Sequence, residues 1–196
     1  MSSKPKILII LFIFVLGFVL RVGFAPKENI AADSFSILSS AHTLAETGKY
    51  LLPDMGFADL KIRYTTLTGW PVGFPLMLSL IFRFFGYSEY LARLFTIFLA
   101  SLGIIFVAII ANLFFREKVT YTACFFMAIH PLLVAFNGRI FTNNPALVFF
   151  ISSIAFMLLS VIERGGELRF VDPSLILTNK KRFLSFLMSF LLLGFL

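Results

Sequence analysis

Apolar residues dominate this chain in long blocks rather than in alternation. The first block runs from Ile7 to Phe24 almost without interruption. At 1.5 Å rise per residue it matches about one hydrocarbon core, so it reads as a membrane helix. Lys4 and Lys6 precede it, and no small-x-small cleavage pattern follows it. It therefore reads as a retained first span with its start in the cytoplasm, not as a secretory signal. Further spans are expected at Leu91–Phe115, Val119–Phe136, Pro145–Ile162, and from Phe183 to the end.

Trp70–Phe85 is the ambiguous block. It is short, opens with Pro71 and Pro75, and carries Arg83 near its end. If it spans, Arg116 and Lys118 and the cluster Arg164, Arg169, Lys180, Lys181 and Arg182 face outward. If it does not, all of them join Lys4 and Lys6 inside, as the usual Lys/Arg bias prefers. An interfacial helix is the better reading, because a span needs roughly 20 residues. The fold class that follows is all-α. It is a polytopic transmembrane bundle of about five spans, with one long external loop over residues 25–90 and a second over 137–144.

Composition agrees. With 59% hydrophobic residues and 14% charged, a soluble domain of 196 residues could not hide its apolar surface. The net charge of +7 is spread in short clusters beside apolar runs, which is topology rather than a nucleic-acid surface. The single cysteine, Cys124, has no partner for a disulfide or a metal cluster.

The long loop is not a passive linker. It holds six of the ten acidic residues: Glu28, Asp33, Glu46, Asp54, Asp59 and Glu89. Phe35, Leu38, Ala41, Leu44 and Ala45 recur at helical steps, and Gly48 follows as a C-cap. Two amphipathic interfacial helices would thus floor the external side. Asp33 opens the first of them, either as a cap or as a chemically active carboxylate. His42, nine residues on, reads as interfacial polarity, and His130 as a helix-end residue. In the second loop, Arg139 suits a lipid phosphate because a guanidinium forks two oxygens. A snorkelling anchor is the plainer alternative.

In order along the chain stand Asp33, Ala45-Glu46-Thr47-Gly48-Lys49-Tyr50, Pro71-Val72-Gly73-Phe74-Pro75-Leu76, Phe85-Gly86-Tyr87-Ser88, Ala92-Arg93-Leu94, and His130-Pro131 through Arg139 to Asn144-Pro145. This series resembles the GT-C superfamily of polyprenol-phosphate-dependent glycosyltransferases. The similarity is to the protein O-mannosyltransferase and lipid A aminoarabinose transferase branch, over about residues 7–163. The resemblance implies an integral protein of a prokaryotic plasma membrane, with its site on the external face. Its donor would be a polyprenyl-phosphate-linked sugar, and its acceptor a hydroxyl of a protein, lipid or glycan. Transfer would proceed with inversion.

Carried onto this chain, the catalytic position is Asp33. Arg139 is the first candidate for the donor phosphate, followed by Arg63, Lys61 and Arg93. Asn143, Asn144 and Tyr64 are candidates for the sugar or acceptor. The chain departs from the pattern at three places. Ser34 stands where many relatives have a second acid, Asn143 and Asn144 where many have an Asp or Glu, and Gly73 where the aminoarabinose branch has lysine. No cofactor is expected, and neutral amides would serve a hard cation poorly. Relatives are more than twice as long, so residues 1–196 read as the N-terminal part of such an enzyme, its C-terminal part missing. The competing reading is a non-catalytic or truncated membrane protein acting as an assembly partner.

Overall fold

A computed structural model describes residues 4–26, 32–55, 62–66 and 71–161, together with Leu184, Leu187 and Met188. Its elements in chain order are α1 (Lys4–Phe24), α2 (Ala32–Thr47), β1 (Leu51–Met55), β2 (Ile62–Thr66), α3 (Gly73–Phe85), α4 (Glu89–Phe114), α5 (Glu117–Ile129), α6 (Pro131–Phe136) and α7 (Asn143–Val161). Among the described residues, α1 and α4 are the two helices long and apolar enough to cross a membrane. All but Leu184, Leu187 and Met188 of the expected span from Phe183 onward, and the basic cluster before it, lie outside the described residues.

The helical class is as expected, and β1 and β2 add a short antiparallel ribbon inside the first loop, with Asp54 opposite Arg63 in the register. One expectation needs correction: Val119–Phe136 is not one helix. It divides at His130, whose extended ψ of 120° separates α5 from α6. Pro131 is the cause: it has no N–H for the carbonyl four residues back, and it disfavours helical geometry at the residue before it.

The helices form a bundle with a cap. In the bundle, Ile13 of α1 packs with Ile104 and Ala108 of α4 and with Cys124 and Ala128 of α5. Gly103 of α4 faces α5, where a Cβ would lie 2.8 Å from Met127 Cε, the movable end of that side chain. In the cap, Ile37, Leu38 and Ala41 of α2 meet Phe74, Leu78 and Phe82 of α3, over Ala92 and Leu99 of α4. Trp70–Phe85 is therefore represented by a 13-residue helix packed on α2, short of the length of a span. Pro75 fits there because it lies in the first turn, where an N–H has no intrahelical partner.

The buried stripe of α2 is Ser34, Ile37, Leu38 and Ala41, at steps of three and four. Phe35 lies off that stripe and is 66% exposed, contrary to its place in the expected apolar series. Gly48 does end the helix. It adopts φ +71°, and its N–H donates to Leu44 O at 3.0 Å. At the opposite end of the bundle, Lys6 Nζ lies 2.6 Å from Glu117 Oε1, which joins the starts of α1 and α5.

Candidate active site at the loop-bearing end

The turn between α6 and α7 and the start of the first loop meet at one end of the bundle. Ser34 Oγ donates to Ile140 O at 3.0 Å, and both residues are buried. A Cβ on Gly138 would come within 2.7 Å of Ala25 Cα, so the turn rests directly on the backbone that leaves α1. Arg93, at the start of α4, donates to Pro26 O from one Nη and to Glu89 Oε1 at 3.0 Å from the other. Three separate contacts therefore fix the two loops to each other and to α4.

Asp33 and Arg139 stand immediately before the two residues of the Ser34–Ile140 hydrogen bond. Asp33 is exposed in the first turn of α2, inside the helix rather than ahead of it as a cap. It makes no hydrogen bond or ion pair with the described residues. Arg139 is exposed, with its guanidinium 5.1 Å from the centre of the Phe136 ring. That contact is a cation–π stack that orients the side chain without neutralising it.

The other candidates fare differently. The side chain of Arg93 is 12% exposed and committed to Pro26 and Glu89. It serves as a tether, with its Nε unpaired among the described residues. Asn144 Nδ2 donates to Phe136 O at 3.1 Å and Arg139 O at 2.8 Å, so this amide closes the turn that carries Arg139. Asn143 is exposed at the first position of α7. Arg63 and Tyr64 lie on β2, opposite Asp54 and Pro53 in the register. Lys61 lies outside the described residues. His42 sits on the far side of α2 from Asp33, 4.8 Å from the Tyr87 ring and 3.4 Å from Glu46 Oε1. Among the described residues, no three His, Cys, Asp or Glu side chains converge.

Starting one turn after Asp33 on α2, a concavity of about 210 Å³, counting its open mouth, is lined by Ser36, Ile37 and Ser40, by Pro71 and Pro75, and by Tyr50 and Thr142. Asp33, Ser36, Ile37 and Ser40 follow helical steps, so the carboxylate heads the same stripe that lines this hollow. The Ser40 hydroxyl is spent on carbonyls of its own helix, Ser36 O and Ile37 O. Burial pushes the Tyr50 phenol above its ordinary value, and a hydrogen bond with Ser40 partly opposes this. Tyr50 is thus a neutral hydroxyl at physiological pH.

The sequence reading missed one residue. Arg21, in the last turn of α1, is fully buried. Its Nη1 donates to Gly17 O at 2.9 Å and Ala128 O at 3.2 Å, and its Nη2 to Met127 O at 3.0 Å. A charge inside an apolar run was the available signal. Its partners, more than 100 positions away, were not legible.

Apolar helices of span length, with the turn after α6 held against the start of the first loop at one end, are the frame of a membrane protein, and the sequence profile that the chain matches makes it a membrane glycosyltransferase of the GT-C type. The chain belongs to the dolichyl-phosphate-mannose-protein mannosyltransferase family, whose sequence profile matches residues 70–196. The match takes in the six-residue proline segment from Pro71, Arg93, Arg139, Asn143 and Asn144, and begins after Asp33. Searches of curated proteins and of solved structures returned no significant match.

Proposed function

We propose that this chain transfers a sugar from a polyprenyl phosphate to an acceptor hydroxyl, with Asp33 as the general base and Arg139 as the cation for the departing phosphate. The acceptor oxygen attacks the anomeric carbon and its proton passes to Asp33. The bond from that carbon to the phosphate oxygen breaks, and the electron pair leaves with the lipid phosphate. Attack opposite the leaving group inverts the anomeric centre. One carboxylate suffices because a phosphate departs without protonation, unlike the alkoxide of a glycosidase substrate. A cation aimed at the charge that develops on the phosphate supplies the remaining stabilisation.

The observation that carries this reading is the Ser34–Ile140 hydrogen bond. It joins the segments that bear Asp33 and Arg139, although 106 positions separate them. Both groups are exposed and neither is paired within the described residues, as a reactive pair awaiting substrate should be. The external face is the fitting side, because Lys4, Lys6, Arg116 and Lys118 gather at the opposite end.

Asp33→Asn tests the reading. In membranes containing the full chain and radiolabelled dolichyl-phosphate mannose, transfer to acceptor should fall by about 10²–10⁴-fold, the range of a lost general base. Membrane insertion should be unchanged. Transfer at the wild-type rate removes Asp33 from the chemistry.

A further inference from the structure

An arginine enclosed in an apolar bundle must have a reason for being there, and Arg21 has one in Pro131. In an unbroken helix Met127 O would accept from the N–H of residue 131. Proline has no such group. Ala128 O loses its partner too, since the chain turns extended at His130. These carbonyls end a helix within the bundle, where water is not at hand. The Arg21 guanidinium fills both vacancies, Nη2 on Met127 O at 3.0 Å and Nη1 on Ala128 O at 3.2 Å. Gly17, one turn earlier on α1, makes the fit possible. A Cβ there would stand 2.9 Å from Arg21 Nη1 and 2.6 Å from Ile104 Cδ1.

We propose that Arg21 is a positioning residue that replaces the helix hydrogen bond removed by Pro131 and thereby sets how α6 and the following turn leave α5. Four residues after Arg21, Ala25 meets Gly138, and two residues after Gly138, Ile140 accepts from Ser34. Arg21 thus acts on Arg139 through the backbone. It touches neither Arg139 nor Asp33. The consequence for sugar transfer rests on the function proposed above, whereas the geometric role does not.

Cross-linking of the full chain in membranes separates the two. With Cys124→Ala as background, one cysteine pair (Phe35→Cys with Arg139→Cys), exposed and next to the Ser34–Ile140 hydrogen bond on either side, reports the loop-bearing end. A second pair (Lys6→Cys with Glu117→Cys) reports the opposite end. A short bifunctional maleimide should join both pairs when Arg21 is present. Arg21→Leu should lower the yield of the first pair several-fold and leave the second unchanged. Arg21→Lys, which keeps a cationic donor, should recover part of the loss. An unchanged first pair in Arg21→Leu overturns the inference. So does an equal fall of both pairs in both variants, which would make Arg21 a support of the whole bundle. The yields read geometry alone, so they decide this inference whether or not the chain transfers mannose. A loss of transfer in Asp33→Asn with both cross-links intact would in turn bear only on the catalytic reading.

Discussion

The middle of the bundle and its loop-bearing end are built on different principles. In the middle, α1, α4 and α5 meet through Ile13, Ile104, Ala108, Cys124 and Ala128, and small residues set how close the helices come. At the loop-bearing end, the joints are side-chain donors on backbone carbonyls: Arg21 on Met127 and Ala128, Ser34 on Ile140, Arg93 on Pro26, Asn144 on Phe136 and Arg139. Packing of the first kind tolerates swaps of similar volume. A donor aimed at a buried carbonyl does not, because removing it leaves an unsatisfied acceptor. The loop end is thus fixed more specifically, and among the described residues the exposed side chains of Asp33 and Arg139 take no part in that fixing. On the function proposed above, these would be the groups that a rigid surround holds ready for chemistry.

The sharpest way to break this contrast is at Arg139. If it serves the departing phosphate rather than the scaffold, Arg139→Ala should lower kcat by about 10²–10³-fold, as loss of one such donor does elsewhere. Its thermal midpoint in detergent should stay at the wild-type value. A fall in stability with little change in kcat would return Arg139 to the scaffold and blur the division.

The two glycines of α1 sharpen the contrast on the stability side. Gly17 is bounded by Ile104 Cδ1 at 2.6 Å, Arg21 Nη1 at 2.9 Å and Ala128 Cβ at 3.2 Å, measured from the position a Cβ would take. The ends of flexible side chains usually yield, but Arg21 is held by three hydrogen bonds. Gly17→Ala should therefore cost about 1–3 kcal/mol, the range of overpacking. Gly23 meets nothing within 4 Å, so Gly23→Ala should be neutral or slightly stabilising through helix propensity alone. Equal melting temperatures for the two variants would mean that the clamp is looser than its geometry.

The sequence revealed the helices more readily than their joints. α1 and α4 were legible because an apolar run of span length has few alternatives. The long loop's two helices were legible from periodicity and from Gly48. The β1–β2 ribbon was hidden because Pro53 and Asp54 argue against a strand, although an edge strand accommodates proline. The α5–α6 break was written in Pro131, yet the apolar run on both sides outweighed it. Ser34 was read only as an acid that is lacking. Its value as a buried donor to Ile140 depends on a turn 106 positions away, and a one-dimensional pattern cannot carry that. Arg93 and Asn144 were recognised as polar groups of the site. Which of them would be spent on backbone carbonyls is a matter of tertiary geometry.

Asn143 and Asn144 provide the smallest and most discriminating test, since they are adjacent, chemically identical and differently employed. Asn144 uses both bonds of its Nδ2 to hold Phe136 O and Arg139 O. A carboxylate has the same shape and no hydrogen to donate. Asn144→Asp should set an anion against two carbonyls and cost about 1–3 kcal/mol, the penalty for polar groups left unsatisfied. Asn143 is exposed at the N-terminal position of α7, where an anion complements the helix dipole. Asn143→Asp should therefore change stability by less than about 0.5 kcal/mol. The two melting curves in detergent should differ by several degrees, with Asn144→Asp the lower. If the order were reversed, the turn bearing Arg139 would owe its shape to something other than this amide, and the distinction between fixed and free groups at the loop end would have to be redrawn.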